Sequence, residues 1–98
     1  MGTLYFGARH EFPFEDRTLN HLRSVIASKL IQHESFALTW EDEGVQRTIW
    51  INPQSQLLFE FELSSEGLGP IDHAWIAELV EQANTPTGIR ISGTAHGS

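Results

Sequence analysis

Residues 16–50 read DRTLNHLRSVIASKLIQHESFALTWEDEGVQRTIW, and this stretch decides the fold of the chain. Its first half places apolar residues three and four positions apart, the spacing of a helix with one buried face. Its second half alternates large apolar residues with small or polar ones on both sides of an acidic turn that contains Gly44. Such alternation around a glycine is typical of an antiparallel hairpin. The stretch therefore predicts a helix that leads into two paired strands.

The flanking segments predict further strands and a second helix. Pro13 confines its own segment to the edge of a sheet, because proline has no N–H to donate to a neighbouring strand. The first helix should end near His33, and the second should begin after a capping Asp72. The remaining predicted elements are strands at residues 4–6, 11–14, 57–63 and 89–91.

The order β-(β)-α-β-β-β-α-β predicts an α+β fold. In this prediction the strands at residues 36–40, 45–51 and 57–63 form an antiparallel β-meander, and additional short strands flank it. Two helices pack on one face of that sheet. Residues 1–92 form a single α+β domain, and residues 93–98 form a polar C-terminal tail.

Composition limits the possible functions. The chain has 98 residues, no cysteine, thirteen acidic residues and six basic ones, which gives a net charge of −7. Because phosphate contacts depend on Lys and Arg, we do not expect this chain to bind duplex DNA. The start of the chain has no leader-like basic and apolar regions, and no segment is long enough to cross a membrane. We therefore expect a soluble protein of the cytoplasm or of a phage particle.

The sequence shows no recognisable catalytic or metal-binding motif. The histidines at positions 10, 33 and 73 each neighbour an acidic residue, and adjacent side chains point apart on a helix or strand. Zinc sites built on sulfur are excluded without cysteine, and no serine nucleophile motif is present. We therefore expect no enzymatic activity, no cofactor and no metal.

The predicted meander leaves large apolar residues on its outer face. Strand alternation turns Trp50 and Leu58 away from the helices, beside Thr39 and Thr48, and Phe12 lies on a predicted edge strand. An aromatic side chain within a polar rim is typical of a protein interface. These five residues are the predicted interaction surface. The alternative is that the amino-terminal arm, with Tyr5, Phe6, Phe12 and Phe14, folds back over this face.

A second candidate surface is basic. Arg17, Arg23 and Lys29 lie in the first predicted helix, at different angles around its axis. We expect these three side chains to be solvated. If the protein instead binds single-stranded DNA, they are the candidate contacts to nucleic acid.

Several segments are specific enough to carry a family resemblance. These segments are Asp16–Leu19, His21–Leu22, Val25–Ile26, Lys29–Leu30, Glu34–Trp40, Thr48–Trp50, Ala74–Ile76, Ala83–Asn84 and Gly88–Arg90. At these positions the chain resembles a group of small actinobacterial proteins of about its own length, which are sometimes labelled ATP-dependent DNA ligases.

The ligase label does not fit the residues of this chain. Ligase chemistry needs a lysine in a Lys-x-Asp-Gly motif to carry the nucleotide. The only lysine is Lys29, and it is followed by Leu30, Ile31 and Gln32. The resemblance therefore implies a family and no particular activity.

These observations predict a non-enzymatic protein-interaction or assembly module that associates with itself or with a protein partner. A phage capsid or tail accessory protein is a specific version of this prediction. The alternative is an accessory factor in DNA transactions that binds single-stranded DNA or a ligase-type enzyme.

Overall fold

A computed structural model describes residues 1–62 and 67–91 of the chain. The predicted α+β class and the order of the elements are confirmed. The elements are β1 (Gly2–Phe6), β2 (His10–Phe14), α1 (Asp16–Ile31), β3 (Phe36–Asp42), β4 (Val45–Ile51), β5 (Leu57–Phe61), α2 (His73–Ala83) and β6 (Ile89–Ile91).

The strands form two small sheets. Sheet 1 has the order β2-β1-β5, and both of its pairings are antiparallel. Sheet 2 has the order β4-β3-β6, in which β3 pairs antiparallel with β4 and parallel with β6. Pro13 lies in β2 at an edge of sheet 1, as its missing N–H predicts.

The predicted meander is wrong at β5. This strand pairs with β1 in sheet 1, with Leu58 opposite Tyr5, and not with β4. The segment between β4 and β5, residues 52–56, contains a turn that lets β5 leave sheet 2 and pair in sheet 1. The side chain of Asn52 accepts a hydrogen bond from Gln54 N at 2.8 Å, and the Asn52 N–H donates to Ser55 Oγ at 3.0 Å. Such an Asx turn separates β5 from β4.

The core forms where the inner faces of the two sheets meet. Phe12 and Phe14 of β2 contact Trp40 of β3, with ring centroids 4.9 and 5.2 Å apart. Trp40 is only 1% exposed. The apolar residues that alternate along β3, β4 and β5 on the side opposite Trp50 and Leu58 are buried or half-buried, as strand alternation predicts: Phe36, Leu38, Trp40, Ile49, Ile51, Leu57, Phe59 and Phe61.

The helices do not share one sheet face, which corrects the predicted arrangement. Helix α1 contacts β1 and β5 of sheet 1, and α2 contacts β3 and β6 of sheet 2. The two helices also contact each other. Each helix therefore packs its apolar face on the strands of a different sheet.

The end of α1 is a Schellman motif with histidine at the position that usually holds glycine. His33 has a φ of 59°, its N–H donates to the carbonyl of Leu30, and the N–H of Glu34 donates to the carbonyl of Lys29. The helix therefore ends at Ile31, close to the predicted end.

Helix α2 begins and ends with specific polar contacts. The Asp72 carboxylate accepts hydrogen bonds from the backbone N–H groups of Ala74 and Trp75, which confirms the predicted cap. After the helix, Gly88 has a φ of 74°, and a Cβ atom there would lie 2.1 Å from the carbonyl oxygen of Ala37. Only glycine fits this approach, which brings β6 against β3.

The limits of the domain are only partly described. The structure places residues 1–62 and 67–91 in the fold above, and the predicted tail at residues 93–98 lies outside the described residues, as does Leu63 of the predicted third meander strand. Among the described helices, neither is long and apolar enough to cross a membrane.

Candidate interaction surface

The outer face of sheet 2 is the side of β3, β4 and β6 that points away from sheet 1. Alternation along β4 turns Ile49 and Ile51 inward and leaves Trp50 on the outer face, opposite Ala37 of β3. The outward positions of this sheet are Ala37, Thr39, Glu41, Gln46, Thr48, Trp50 and Arg90.

Trp50 is the most prominent residue of this face. Its side chain is 66% exposed, although Ala37 beside it is buried. The alternative in which the amino-terminal arm covers this residue is wrong, because Phe12 and Phe14 pack on Trp40 at the opposite face of the sheet. A large aromatic group is therefore presented to solvent on a hydrogen-bonded sheet.

Thr39 and Thr48 form a hydrogen-bonded pair across β3 and β4 on this face. Their hydroxyl oxygens are 2.8 Å apart across the β3–β4 pair, so one hydroxyl donates to the other. Thr39 is only 6% exposed, whereas Thr48 is exposed. Cross-strand threonine pairs of this kind stabilise the local register. Thr48 is thus available to a partner beside Trp50, and Thr39 lies beneath the surface.

Arg90 belongs to the same face, and the sequence reasoning missed it. It lies opposite Thr39 in the parallel pair of β3 and β6, and it is exposed. Its backbone N–H donates to Gln82 Oε1 at 3.0 Å, which ties β6 to α2. The alternation Ile89-Arg90-Ile91 predicts an outward arginine, but only the pairing of β6 with β3 places it on the outer face of sheet 2.

Leu58 and Phe12 are not part of this surface. Leu58 is 53% exposed and lies on the outer face of sheet 1, beside Tyr5. Phe12 points inward, toward Trp40. Of the five residues predicted to form one surface, the structure brings together Trp50, Thr48 and Thr39. Leu58 was misplaced because a single meander was assumed. Phe12 lies on the edge strand β2, as predicted, but its side chain is taken up by the contact with Trp40.

The outer face of sheet 1 has a different chemistry. The hydroxyl of Tyr5 donates a hydrogen bond to Glu60 Oε1 at 3.1 Å. This bond stabilises the protonated phenol, and together with partial burial and the negative charges of Glu60 and Glu11 it raises the pKa of Tyr5 above 10.0. Leu58 is thus a single apolar side chain beside an acidic patch.

Arg17 and Arg23 of α1 are exposed, as predicted, and each also makes specific contacts. Arg17 lies 3.4 Å from Asp72 Oδ2, and its guanidinium carbon is 4.7 Å from the centre of the Trp75 ring. Arg23 donates to Asn20 Oδ1 at 2.7 Å and stacks on the Phe61 ring at 4.8 Å. Arg17 therefore connects α1 to the start of α2, and Arg23 connects α1 to β5.

Lys29 differs most from the prediction that it is solvated. It is only 6% exposed, and its ammonium group donates to Glu34 Oε1 at 2.7 Å and to Asn84 Oδ1. A buried ammonium group needs such partners. The contact joins the end of α1 to the end of α2, so the lysine has a structural role.

His21 forms the most buried polar contact between the two helices. Its Nδ1 lies 2.7 Å from the carbonyl oxygen of Arg17, and its Nε2 accepts a hydrogen bond from the backbone N–H of Asp72 at 2.9 Å. One ring nitrogen therefore donates and the other accepts, which assigns the Nδ1–H tautomer. The side chain orients the start of α2 against α1. Within residues 1–62 and 67–91, no three acidic or histidine side chains are grouped to hold a metal ion.

Comparison with protein families gives one match. A family model for DUF7882, described as a domain of unknown function, matches residues 1–94, nearly the whole chain. The chain belongs to the DUF7882 family. Comparison with curated proteins and with solved structures finds no match. Membership in DUF7882 agrees with the predicted small family, and it assigns no activity to the outer face of sheet 2.

Proposed function

We propose that this protein is a non-enzymatic interaction or assembly module that associates with itself through the outer face of sheet 2. The observation that supports the proposal most strongly is the 66% exposure of Trp50 on a regular strand. Tryptophan is among the residues that contribute most to binding when an interface buries them.

The surroundings of Trp50 suit a contact surface. The exposed side chains of Thr48 and Gln46 follow it along β4 and supply hydrogen-bonding groups. An aromatic anchor with polar neighbours is the usual anatomy of a protein interface. The face is also well ordered, because β3 is hydrogen-bonded on both sides. A partner therefore meets a surface that loses little conformational entropy on binding.

The chemistry of the face also supports self-association. Two copies related by a two-fold axis use the same patch twice, so the patch must carry both members of each contact. The outer face of sheet 2 carries an aromatic ring at Trp50 and an exposed guanidinium at Arg90. No carboxylate within the described ranges forms an ion pair with Arg90. Arg90 of one copy can therefore stack on Trp50 of the other in a cation–π contact.

The proposed setting follows from the sequence. The resemblance to small actinobacterial proteins implies an actinobacterial origin, and the absence of cysteine fits the cytoplasm or a phage particle. A cysteine-free chain suits a reducing compartment. In a particle, the self-association of the module would join neighbouring copies.

Light scattering over a concentration series tests the proposal. The wild-type protein should form a defined oligomer, and Trp50→Ala should weaken association about thirtyfold or more, the effect of an anchor worth about 2 kcal/mol. Leu58→Ala is the matched control, because it removes an exposed apolar side chain from the other sheet. A monomer at every concentration would contradict self-association. Equal weakening by the two variants would contradict the choice of face.

A further inference from the structure

A groove of about 380 Å³ lies between the two sheets, along the edge strand β4 of sheet 2. Residues 45–49 of β4 form one wall, and residues from the β1–β2 hairpin form the other. This volume is within the range of small-molecule sites, which is about 300–1,000 Å³. The groove is lined by Phe6, His10, Phe12, Val45, Gln46, Arg47, Thr48 and Ile49.

The floor of the groove is apolar and held by the core. Phe12 meets the buried Trp40 edge to face, with the ring planes at 68°. Ile49 is only 9% exposed, and Phe6 packs against the same core. The ring of His10 lies parallel to that of Phe12, with centroids 6.0 Å apart. A flat apolar group placed on this floor would meet side chains that are already fixed in position.

One cation borders this floor. The guanidinium carbon of Arg47 is 6.0 Å from the centre of the Phe12 ring. Arg17 and Lys29 each have a carboxylate partner, but Arg47 forms no ion pair with any acidic side chain in the described part of the chain. Its guanidinium donors are therefore not occupied by a carboxylate of the described residues. Its planar group of N–H donors matches the two oxygens of a carboxylate.

We propose that the groove binds a small monocarboxylic acid with a flat apolar body. The carboxylate accepts hydrogen bonds from Arg47, and the body lies on Phe6, Phe12 and Ile49. A single arginine on a protein with a net charge of −7 favours a monoanion over a phosphate or another polyvalent anion. Trp50 points to the other side of β4 and does not line the groove, whereas Gln46 and Thr48 border both the groove and the outer face of sheet 2.

The test is a titration of the full chain with 3-phenylpropionate, followed by two-dimensional NMR of the backbone amides. We expect saturable shifts confined to the β1–β2 hairpin and β4. The uncharged amide of the same acid should bind at least about tenfold more weakly, and Arg47→Gln should weaken binding of the acid to a similar extent. Arg23→Gln is the matched control, since it removes an exposed guanidinium from α1, outside the groove, and should leave binding unchanged.

Three results would overturn the proposal. The first is the absence of saturable shifts in a wild-type protein whose spectrum is that of a folded chain. The second is equal binding of the acid and its amide, which would remove the role of Arg47. The third is tighter binding of a capped Phe-Glu dipeptide than of the free acid, which would assign the groove to an extended acidic peptide.

Discussion

Replacing Gly88 by alanine should be one of the most damaging small changes in this fold. The φ of 74° costs an alanine about 1–2 kcal/mol, because its Cβ crowds the following carbonyl. In addition, the new Cβ would lie 2.1 Å from the Ala37 oxygen and 2.8 Å from the Ala37 Cβ. Contacts below 3.0 Å require one backbone to move, and movement here separates β6 from the central strand β3. We expect a total loss of about 4 kcal/mol or more, which is large for a domain of this size.

Gly44 provides the matched control for this variant. Its φ is 80°, but no atom lies within 4 Å of the Cβ that alanine would add. Gly44→Ala should therefore cost only the conformational term of about 1–2 kcal/mol. Urea unfolding of both variants, followed by circular dichroism, measures the two free energies. Equal losses for Gly44→Ala and Gly88→Ala would show that the approach of Gly88 to Ala37 does not constrain the fold.

Three further predictions concern residues that the fold uses in specific ways. His33→Gly should stabilise the protein by about 0.5–1 kcal/mol and raise Tm by several degrees, because glycine adopts the positive φ at the end of α1 without strain; a lower Tm would contradict the Schellman assignment. His21→Leu should cost about 1–3 kcal/mol in urea unfolding, because it leaves the backbone N–H of Asp72 without its acceptor. A neutral effect would contradict the coupling of the helices. Glu60→Gln should lower the pKa of Tyr5, the only tyrosine, in an ultraviolet titration of the phenol; an unchanged midpoint would contradict the hydrogen bond.

The parts of the fold that depend on local pattern could be predicted from sequence. The β3–β4 hairpin follows from alternation on both sides of Gly44, and that same alternation predicts the exposure of Trp50. The cap of α2 follows from Asp72, whose short carboxylate reaches the first free amides. In each case the residues that determine the structure are close together in the chain.

The pairing of β5 could not be predicted in this way. Its alternation of Leu57, Phe59 and Phe61 specifies one buried face and fits any neighbouring strand. Proximity in sequence favoured β4, but β1 provides the actual partner. Because β5 pairs in sheet 1, Leu58 lies on a different sheet from Trp50, and the two residues do not form one surface.

The positions of isolated charged residues depend on distant partners. Lys29 is buried because Asn84, 55 residues away, comes within reach of its ammonium group. Arg90 joins Trp50 on one face because β6 pairs in parallel with β3. Neither relationship has a local signal in the sequence, since both arise from long-range packing.

The central claim is that Trp50 itself enters an interface between copies. The most direct measurement follows the indole N–H signals of the three tryptophans by NMR while protein concentration rises from micromolar to millimolar. Trp50→Phe assigns its signal. The account predicts that the Trp50 signal shifts or broadens as the oligomer forms, while the signal of the buried Trp40 remains in place. An unchanged Trp50 signal in a sample whose mass shows association would contradict the account.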